Sequence, residues 1–436
     1  MSSSPESAPA QAAPQGAPGA RAALARLAAV VVGLVVLAAV FHSLDLLGVI
    51  AAIVAIVMLH EAGHFAMAKL GGMKVTEYFF GFGPTVWSIR RGETTYGVKA
   101  IPAGGYVRIP GMSSIEEVDE SDEPHTYRQA SFPRRLGVAV AGSVVHFLIA
   151  FVLLWCVLVF AGVGAATGTA VAELPAVTGP AVSPAGSPAH LAGLRTGDLI
   201  VSIDGKKATD PNRATSLLGD ARPGVTLSVV VERDGRRLTL HIVPVPAAGT
   251  KIGGQAPAHD ARAVVGVQLA TPVVRSSPLA AFGQSAVDLG RFSGQLFAYL
   301  GHFFSIHGLS NFTHQLTSPS YAQKASQQPS SRPESIIGAV RTATQAAQAG
   351  WAYIFLVLVS LNLFLGIFNM FPLPPLDGGH VAVAVYERIR SRRGKRYHAD
   401  AEKLLPLTYA VVALLVVLGL SVAYLDLAHP LANPFR

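Results

Sequence analysis

The sequence contains few charged residues and a single cysteine. Charged side chains make up 14% of its 436 residues, whereas hydrophobic residues make up 51%, and the mean hydropathy is +0.43. A soluble domain is usually about one quarter charged, so this composition argues against an ordinary cytosolic enzyme. The only cysteine, Cys156, lies in an apolar run. A single cysteine excludes an intrachain disulfide and a cysteine-based zinc site. Any metal ion in this chain must therefore be held by His, Asp or Glu.

Long apolar runs predict a multi-pass α-helical membrane protein. A span needs about 20 mostly apolar residues, and four stretches reach that length: residues 47–70, 136–163, 351–371 and 404–425. A fifth run, residues 23–41, predicts an extra N-terminal span separated from the first core span by a polar break. The alternative for this run is a signal peptide, although no clear cleavage site precedes the next run. Residues 1–20, rich in Ser, Pro, Ala and Gly, predict a disordered tail.

The basic residues are concentrated in two loops. Residues 69–135 contain nine Lys or Arg, and residues 372–403 contain seven, six of them between Arg388 and Arg396. Short basic loops remain in the cytoplasm, so both loops are predicted inside and the long segment 164–350 outside. The net charge of +8 is therefore explained by membrane topology, and no nucleic-acid partner is expected.

Part of the outer segment has the pattern of a small β-rich domain. Between residues 171 and 246, short alternating strands are separated by glycine turns, with hairpins predicted at Asp204-Gly205 and Asp234-Gly235. The arrangement is similar to the PDZ domains of bacterial envelope proteases, which predicts an inserted extracytoplasmic PDZ-like domain over residues 164–256. Such a domain can bind an extended peptide as an added strand, or it can limit access by its bulk alone.

The remaining outer residues, 257–350, predict a helix and a linker. Residues 277–304 are apolar enough for an amphipathic helix near the membrane, whereas residues 318–333 are rich in Ser, Gln and Pro and predict a flexible linker. The predicted organisation is therefore a tail (1–20), an extra span (21–46), a core (47–163), the PDZ-like domain (164–256), this helix and linker (257–350), and a second part of the core (351–436).

A zinc-binding motif lies inside the first core span. His60-Glu61-Ala62-Gly63-His64 matches HExxH, and residues four apart share one face of a helix, so both imidazoles can reach one metal ion. Glu61 lies near that face, where it can accept a proton from a water molecule at the metal. Ionisable residues are costly in a bilayer, so this cluster predicts a functional site. The alternative is an accidental packed histidine pair.

A third protein ligand is needed if zinc is to keep one coordination position open. Asp377 is the best candidate, because it follows three prolines that end the span beginning at Trp351. We expect its carboxylate on non-helical backbone, which is tolerated at membrane depth only when buried in protein or lining a wet cavity. The alternative is a turn at the cytoplasmic surface.

Together, these motifs resemble the site-2 protease family of intramembrane zinc metalloproteases (peptidase M50-like), most closely its single-PDZ actinobacterial branch. The similarity extends from residue 47 to the C-terminus and includes residues 81–84, 96–102 and 104–107, which in the family form a β-structured loop beside the active site. The resemblance implies Zn²⁺ as the cofactor. It also implies specific roles for seven residues: His60, His64 and Asp377 as zinc ligands, Glu61 as the catalytic base, and Asn369, Gly104 and Gly105 in substrate binding.

The resemblance further implies a metalloendopeptidase that cleaves transmembrane segments of single-pass proteins in regulated intramembrane proteolysis. The expected substrates have already been clipped by another protease, as anti-sigma factors are, and the active site is expected towards the cytoplasmic side of the cell membrane. A non-catalytic PDZ-containing membrane scaffold is the alternative, but it predicts loss of a catalytic residue. A metal-ion transporter predicts polar residues across several spans, whereas the other spans here are mainly Val, Leu and Ala.

One segment departs from the family pattern. The family commonly has Gly-Pro-x-x-Asn in the second core span, where this chain has Gly142-Ser143-Val144-Val145-His146. An imidazole can still donate a hydrogen bond. His146 is therefore expected to be a satisfied packing or substrate-side residue, or alternatively to join or disturb the metal site.

Overall fold

The computed structural model describes residues 44–112, 118–164, 168–180, 182, 186–257, 261–328, 332–391, 397, 399 and 402–435. The predicted tail, the extra N-terminal span and most of the basic cluster between Arg388 and Arg396 lie outside these residues. The chain forms two compact units. One, the membrane unit, comprises the described residues up to Trp155 and from Phe282 onwards, and the other, the inserted unit, is Cys156–Ala281.

The described residues form eleven α-helices and fourteen strands. In chain order the helices are α1 (Leu44–Leu70), α2 (Phe132–Cys156), α3 (Pro188–Leu191), α4 (Pro211–Gly219), α5 (Pro278–Phe303), α6 (Ile306–Thr317), α7 (Pro319–Ser326), α8 (Ile336–Ala349), α9 (Trp351–Asn369), α10 (Asp377–Arg390) and α11 (Leu405–Ala428). The strands are β1 (Glu77–Arg91), β2 (Thr94–Arg108), β3 (Val163–Gly164), β4 (Thr169–Glu173), β5 (Val177–Thr178), β6 (Leu199–Ile203), β7 (Lys206–Lys207), β8 (Leu227–Arg233), β9 (Arg236–Ile242), β10 (Val245–Pro246), β11 (Lys251–Ile252), β12 (Ala263–Val264), β13 (Gln268–Ala270) and β14 (Val273–Val274).

Four helices among the described residues are long and apolar enough to cross a membrane, which confirms the four predicted core spans. They are Leu47–Leu70, Phe132–Ala161, Trp351–Asn369 and Leu405–Ala428. Their apolar residues are not confined to the stripe that packs against the protein. The surface of each helix that faces away from the protein is apolar as well. On α11, for example, Leu414, Val417 and Leu420 are all more than 60% exposed. Such a surface requires a hydrocarbon environment, so this is a membrane protein.

The loop after α1 folds into an irregular sheet, as the family resemblance implied. Residues 77–80 of β1 pair on one side with residues 95–98 and on the other side with residues 105–108, while residues 85–91 pair with residues 94–99. Residues 105–108 therefore form one edge of this sheet. The hydroxyl of Tyr78 donates a hydrogen bond to the carbonyl of Met58 at 2.6 Å, which fastens the sheet to α1 two residues before the HExxH motif.

Four helices, α5 to α8, lie between the inserted unit and the third span. The amphipathic helix predicted over residues 277–304 is present as α5, but α7 is helical within the stretch expected to be flexible. Arg332, at the end of that stretch, is fully buried and donates hydrogen bonds to Asp426 Oδ1 (3.1 Å) and to the carbonyl of His429 (2.8 Å). One polar residue of the expected linker is therefore held in place by a buried ion pair with the end of α11.

The inserted unit is built on a six-stranded sheet. Its order is β13-β4-β6-β8-β9, with β7 paired to β6. Both predicted hairpin turns have positive φ at two successive residues, Asp204 (47°) with Gly205 (75°) and Asp234 (52°) with Gly235 (74°), as a two-residue type I′ hairpin requires. Alternate residues of β8 point inward, and the core includes Val171, Leu194, Ile200, Ile203, Leu227, Val229, Val231 and Ile242.

The sheet of the inserted unit extends past the boundary expected at residue 256. β12 pairs with β10, and β13 occupies the end of the sheet beside β4. These strands have only two or three residues, too few to show an alternating pattern in the sequence. β14 pairs with β3, so the two chain ends of this unit lie next to each other.

Candidate metal centre

The two histidines of HExxH lie on the buried face of α1. Their side chains are four residues apart on a continuous helix, and their Nε2 atoms are 3.2 Å from each other. The exposed fractions of His60 and His64 are only 9% and 6%. The helical spacing therefore brings both ring nitrogens to one point, as expected from the sequence.

Asp377 completes a triangle of ligand atoms with the two histidines. Its Oδ2 atom lies 3.4 Å from Nε2 of His60 and 3.3 Å from Nε2 of His64. The expectation that this carboxylate lies on non-helical backbone was wrong, because Asp377 is the first residue of α10. A side chain on Gly378 would lie 2.3 Å from the carbonyl oxygen of Met370, so the glycine allows α10 to begin directly against the preceding turn.

The dimensions of this triangle fit a tetrahedral zinc ion. Zinc bonds to histidine nitrogen and carboxylate oxygen are about 2.0–2.2 Å long, so neighbouring ligand atoms of a tetrahedral site are about 3.3–3.5 Å apart. The three observed separations are 3.2, 3.3 and 3.4 Å. Two imidazoles and one carboxylate form the kind of three-ligand set that leaves a fourth position open for chemistry. The residues present therefore fit the cofactor expected from the sequence.

Helix α2 packs against the metal-binding face of α1 without an intervening side chain. A Cβ atom on Gly142 would lie 2.3 Å from Cε1 of His60 and 2.6 Å from Nε2 of His64. On the other helix, a Cβ on Gly63 would lie 2.9 Å from the carbonyl oxygen of Ala141. These two glycines allow the helix backbones to approach closely.

A backbone carbonyl of α2 fixes the orientation of one ligand. Nδ1 of His64 lies 2.7 Å from the carbonyl oxygen of Val138. Because a carbonyl can only accept, Nδ1 carries the proton and donates it, which leaves the lone pair on Nε2 for a metal ion. Sequence reasoning missed this partner, since a backbone carbonyl is present at every residue and has no sequence signal.

Glu61 lies next to the sheet edge formed by residues 105–108. A Cβ on Gly105 would lie 3.1 Å from Cγ of Glu61 and 3.4 Å from the carbonyl oxygen of Phe79. Gly104 has a positive φ of 141°, which favours glycine. Asn369 is the last residue of α9 and is half-buried.

His146 is a buried, hydrogen-bonded residue. It is 2% exposed, and its Nδ1 lies 3.0 Å from Oδ1 of Asn362, which is fully buried in α9. His146 is thus hydrogen-bonded as expected, and the choice between a packing role, a substrate-side role and contact with the metal stays a prediction. Asn362 was missed in the sequence, although an amide within an apolar span is itself a signal of a polar contact.

A buried ion pair connects the start of α2 to α10. Nη2 of Arg135 lies 2.6 Å from Oε2 of Glu387, and the exposed fractions of the two side chains are 12% and 8%. The other carboxylate oxygen of Glu387 accepts a hydrogen bond from the backbone of Ala399 at 2.6 Å. This pair holds the helix that begins with Asp377 against the helix that contacts both histidines.

Comparisons with known proteins agree with this site. The model of peptidase family M50 matches residues 48–418. The chain is 34% identical over 413 residues to zinc metalloprotease Rip1 of Mycobacterium tuberculosis, covering 87% of this chain and 96% of that protein. It is 32% identical over 419 residues to Rip1 of Mycolicibacterium smegmatis, with the same coverage. It is also 28% identical over 359 residues to a putative zinc metalloprotease of Nostoc sp., covering 80% and 88%. The chain therefore belongs to peptidase family M50, the site-2 protease family, and is a zinc metalloendopeptidase.

Proposed function

We propose that this metalloprotease cleaves peptide bonds within the transmembrane segments of single-pass membrane proteins. The observation that carries the proposal is the depth of the histidine pair in the span Leu47–Leu70. His60 precedes the end of that span by ten residues, or about 15 Å at 1.5 Å per residue. A hydrocarbon core about 30 Å thick places this position near its middle. Peptide bonds at that depth belong to membrane-embedded segments.

In this proposal, His60, His64 and Asp377 hold zinc through the three atoms that form the triangle. Bound zinc supplies Lewis acidity, which polarises a peptide carbonyl and makes water a better nucleophile. Glu61 accepts a proton from the attacking water and then donates it to the leaving amine. Glu61 is half-buried beside the sheet edge, close enough to the ligand triangle for this role.

The sheet edge at residues 105–108 provides a place for an unwound substrate. A helical substrate hides its carbonyl groups in hydrogen bonds, so it must become extended before water can attack. In the described part of the chain this edge pairs with no strand on its Glu61 side. An extended peptide can add there by backbone hydrogen bonds, with Gly104 and Gly105 leaving the edge uncovered and Asn369 contacting the peptide backbone.

The basic loops predict that this site lies towards the cytoplasmic side of the cell membrane and that the inserted unit lies on the other side. The inserted unit has a groove that suits the proposed PDZ-like role. A cavity of about 320 Å³ lies between α4 and the segment from Ala263 to Leu269, where Leu269 belongs to the sheet-edge strand β13. Its apolar lining includes Leu218, Val265 and Leu269. A peptide tail added at β13 places side chains in this groove, and the unit then selects clipped substrates by their tails or by size.

A substrate trap tests the proposed function. Cells expressing Glu61→Ala are compared with cells expressing the native protein or Glu93→Ala, a control at an exposed glutamate in the sheet loop. We expect shortened single-pass proteins to accumulate in the membrane only with Glu61→Ala, and mass spectrometry to place the native cleavage within their apolar spans. Identical membrane fragments in all three strains, or cleavage confined to segments outside the membrane, would refute the proposal.

A further inference from the structure

His146 belongs to a stripe of α2 residues that faces the two histidines of α1. Val138, Gly142 and His146 follow one another at intervals of four residues and so share one helix face. Val138 accepts the hydrogen bond from His64, and Gly142 contacts both imidazoles. The ring of His146 continues this stripe, because its centroid lies 4.8 Å from that of His60, with 37° between the ring planes.

The orientation of the His146 ring follows from its hydrogen-bond partners. Nδ2 of Asn362 donates to the carbonyl oxygen of Leu358 at 2.8 Å. A carbonyl only accepts hydrogen bonds, so the amide nitrogen must face Leu358 and Oδ1 must face His146. Nδ1 of His146, 3.0 Å from Oδ1, is therefore the donor. Turning the ring would leave a buried donor and a buried acceptor unpaired, which is strongly unfavourable.

We infer that His146 is a positioning residue that holds the imidazole of His60 in its metal-binding orientation. The inference rests on the proposed assignment of His60 as a zinc ligand. His64 is oriented by its hydrogen bond to the Val138 carbonyl, whereas His60 is oriented by packing against Gly142 on one part of its ring and His146 on another. The chain Leu358–Asn362–His146 thus connects α9 to a ligand on α1 through α2.

The substitution His146→Ala removes the ring beside His60. Alanine is used because asparagine is the residue that the family commonly has at this position. Zinc affinity is measured by chelator competition on the detergent-purified protein, and ligand geometry by the visible spectrum of the cobalt-substituted protein. Loss of groups that orient a metal ligand typically weakens binding by about 10- to 100-fold, so we expect at least a tenfold loss and a changed cobalt spectrum. Asn362→Ala, which removes the acceptor that holds the ring, should change both readouts in the same direction.

Two controls separate positioning from general stability and from the site assignment itself. Leu154→Ala removes a side chain that is 2% exposed and lies two turns further along α2, so it should lower the melting temperature without changing zinc affinity. Wild-type zinc affinity and spectrum in both His146→Ala and Asn362→Ala would overturn the inference. His60→Ala should abolish binding, and zinc retention in that variant would contradict the proposed site. If His60→Ala loses zinc while the His146 and Asn362 variants bind zinc as the wild type does, only the inference is contradicted.

Discussion

Substituting Gly142 with alanine should eliminate the metal centre although it adds only one methyl group. The new Cβ would lie 2.3 Å from Cε1 of His60, 2.5 Å from its Nδ1 and 2.6 Å from Nε2 of His64, whereas ordinary contacts begin at 3.4 Å. The distance from the new Cβ to Cε1 of His60 is therefore too short by 3.4 − 2.3 = 1.1 Å. A zinc site tolerates ligand displacements of about 0.2 Å, so a shift of this size removes at least one ligand from bonding distance.

The helices cannot absorb this shift by moving apart freely. Gly63 and Gly142 both lie at the contact between α1 and α2, and Val138 of α2 is hydrogen-bonded to His64. Separation of the two helices would therefore move the ligands as well. We expect zinc affinity to fall by at least about 100-fold and proteolytic activity to fall by a similar factor or more.

The assay combines zinc content after gel filtration, chelator competition and thermal unfolding of the purified protein. Gly48→Ala is the matched control, because Gly48 lies in the same span as His60 and a Cβ there meets no atom within 4 Å. Alanine favours a helix over glycine by about 1 kcal/mol in aqueous hosts, so the control should be neutral or stabilising and should keep its zinc. Full zinc occupancy and wild-type affinity in Gly142→Ala would refute this account of the packing around the two histidines.

Four further predictions test the proposed roles and the topology. Glu61→Gln should keep zinc but abolish cleavage, because it removes a proton acceptor without changing a ligand; zinc loss in this variant would contradict that role. Asp377→Asn should weaken zinc binding, because a neutral amide replaces the anionic ligand, and unchanged occupancy would mean that another residue is the third ligand. Replacing residues 168–270 by a short linker between the paired strands β3 and β14 should leave cleavage chemistry intact but broaden substrate choice. An inactive variant that still inserts and binds zinc would show that the inserted unit is needed to assemble the site. A cysteine at Lys207, which is exposed on β7 of the inserted unit, should react with a membrane-impermeant thiol reagent on intact cells, whereas one at Ser4 should react only after the membrane is opened. Protection at Lys207 would reverse the proposed orientation, and labelling at Ser4 would reject the extra N-terminal span.

The parts of the molecule that depend on short-range rules were predictable from the sequence. The four spans follow from apolar length, because a bilayer requires about 20 apolar residues for each crossing. The convergence of His60 and His64 follows from the helical repeat, which places residues four apart on one face. The two Asp-Gly hairpins followed from turn chemistry, since Asp and Gly accept the positive φ values that such turns require.

The contacts that shape the metal centre were decided only by the tertiary structure. Asp377 was identified, but its place at the start of a helix depends on the close contact of Gly378 with the preceding turn. The hydrogen bond from His64 to Val138 joins residues 74 positions apart, and the one between His146 and Asn362 joins residues 216 positions apart. Hydropathy and local periodicity describe each helix separately, so they contain no term for which residues meet between helices. The sequence alone therefore predicted the candidate metal ligands and the family they resemble, whereas helix packing determined how these side chains are oriented.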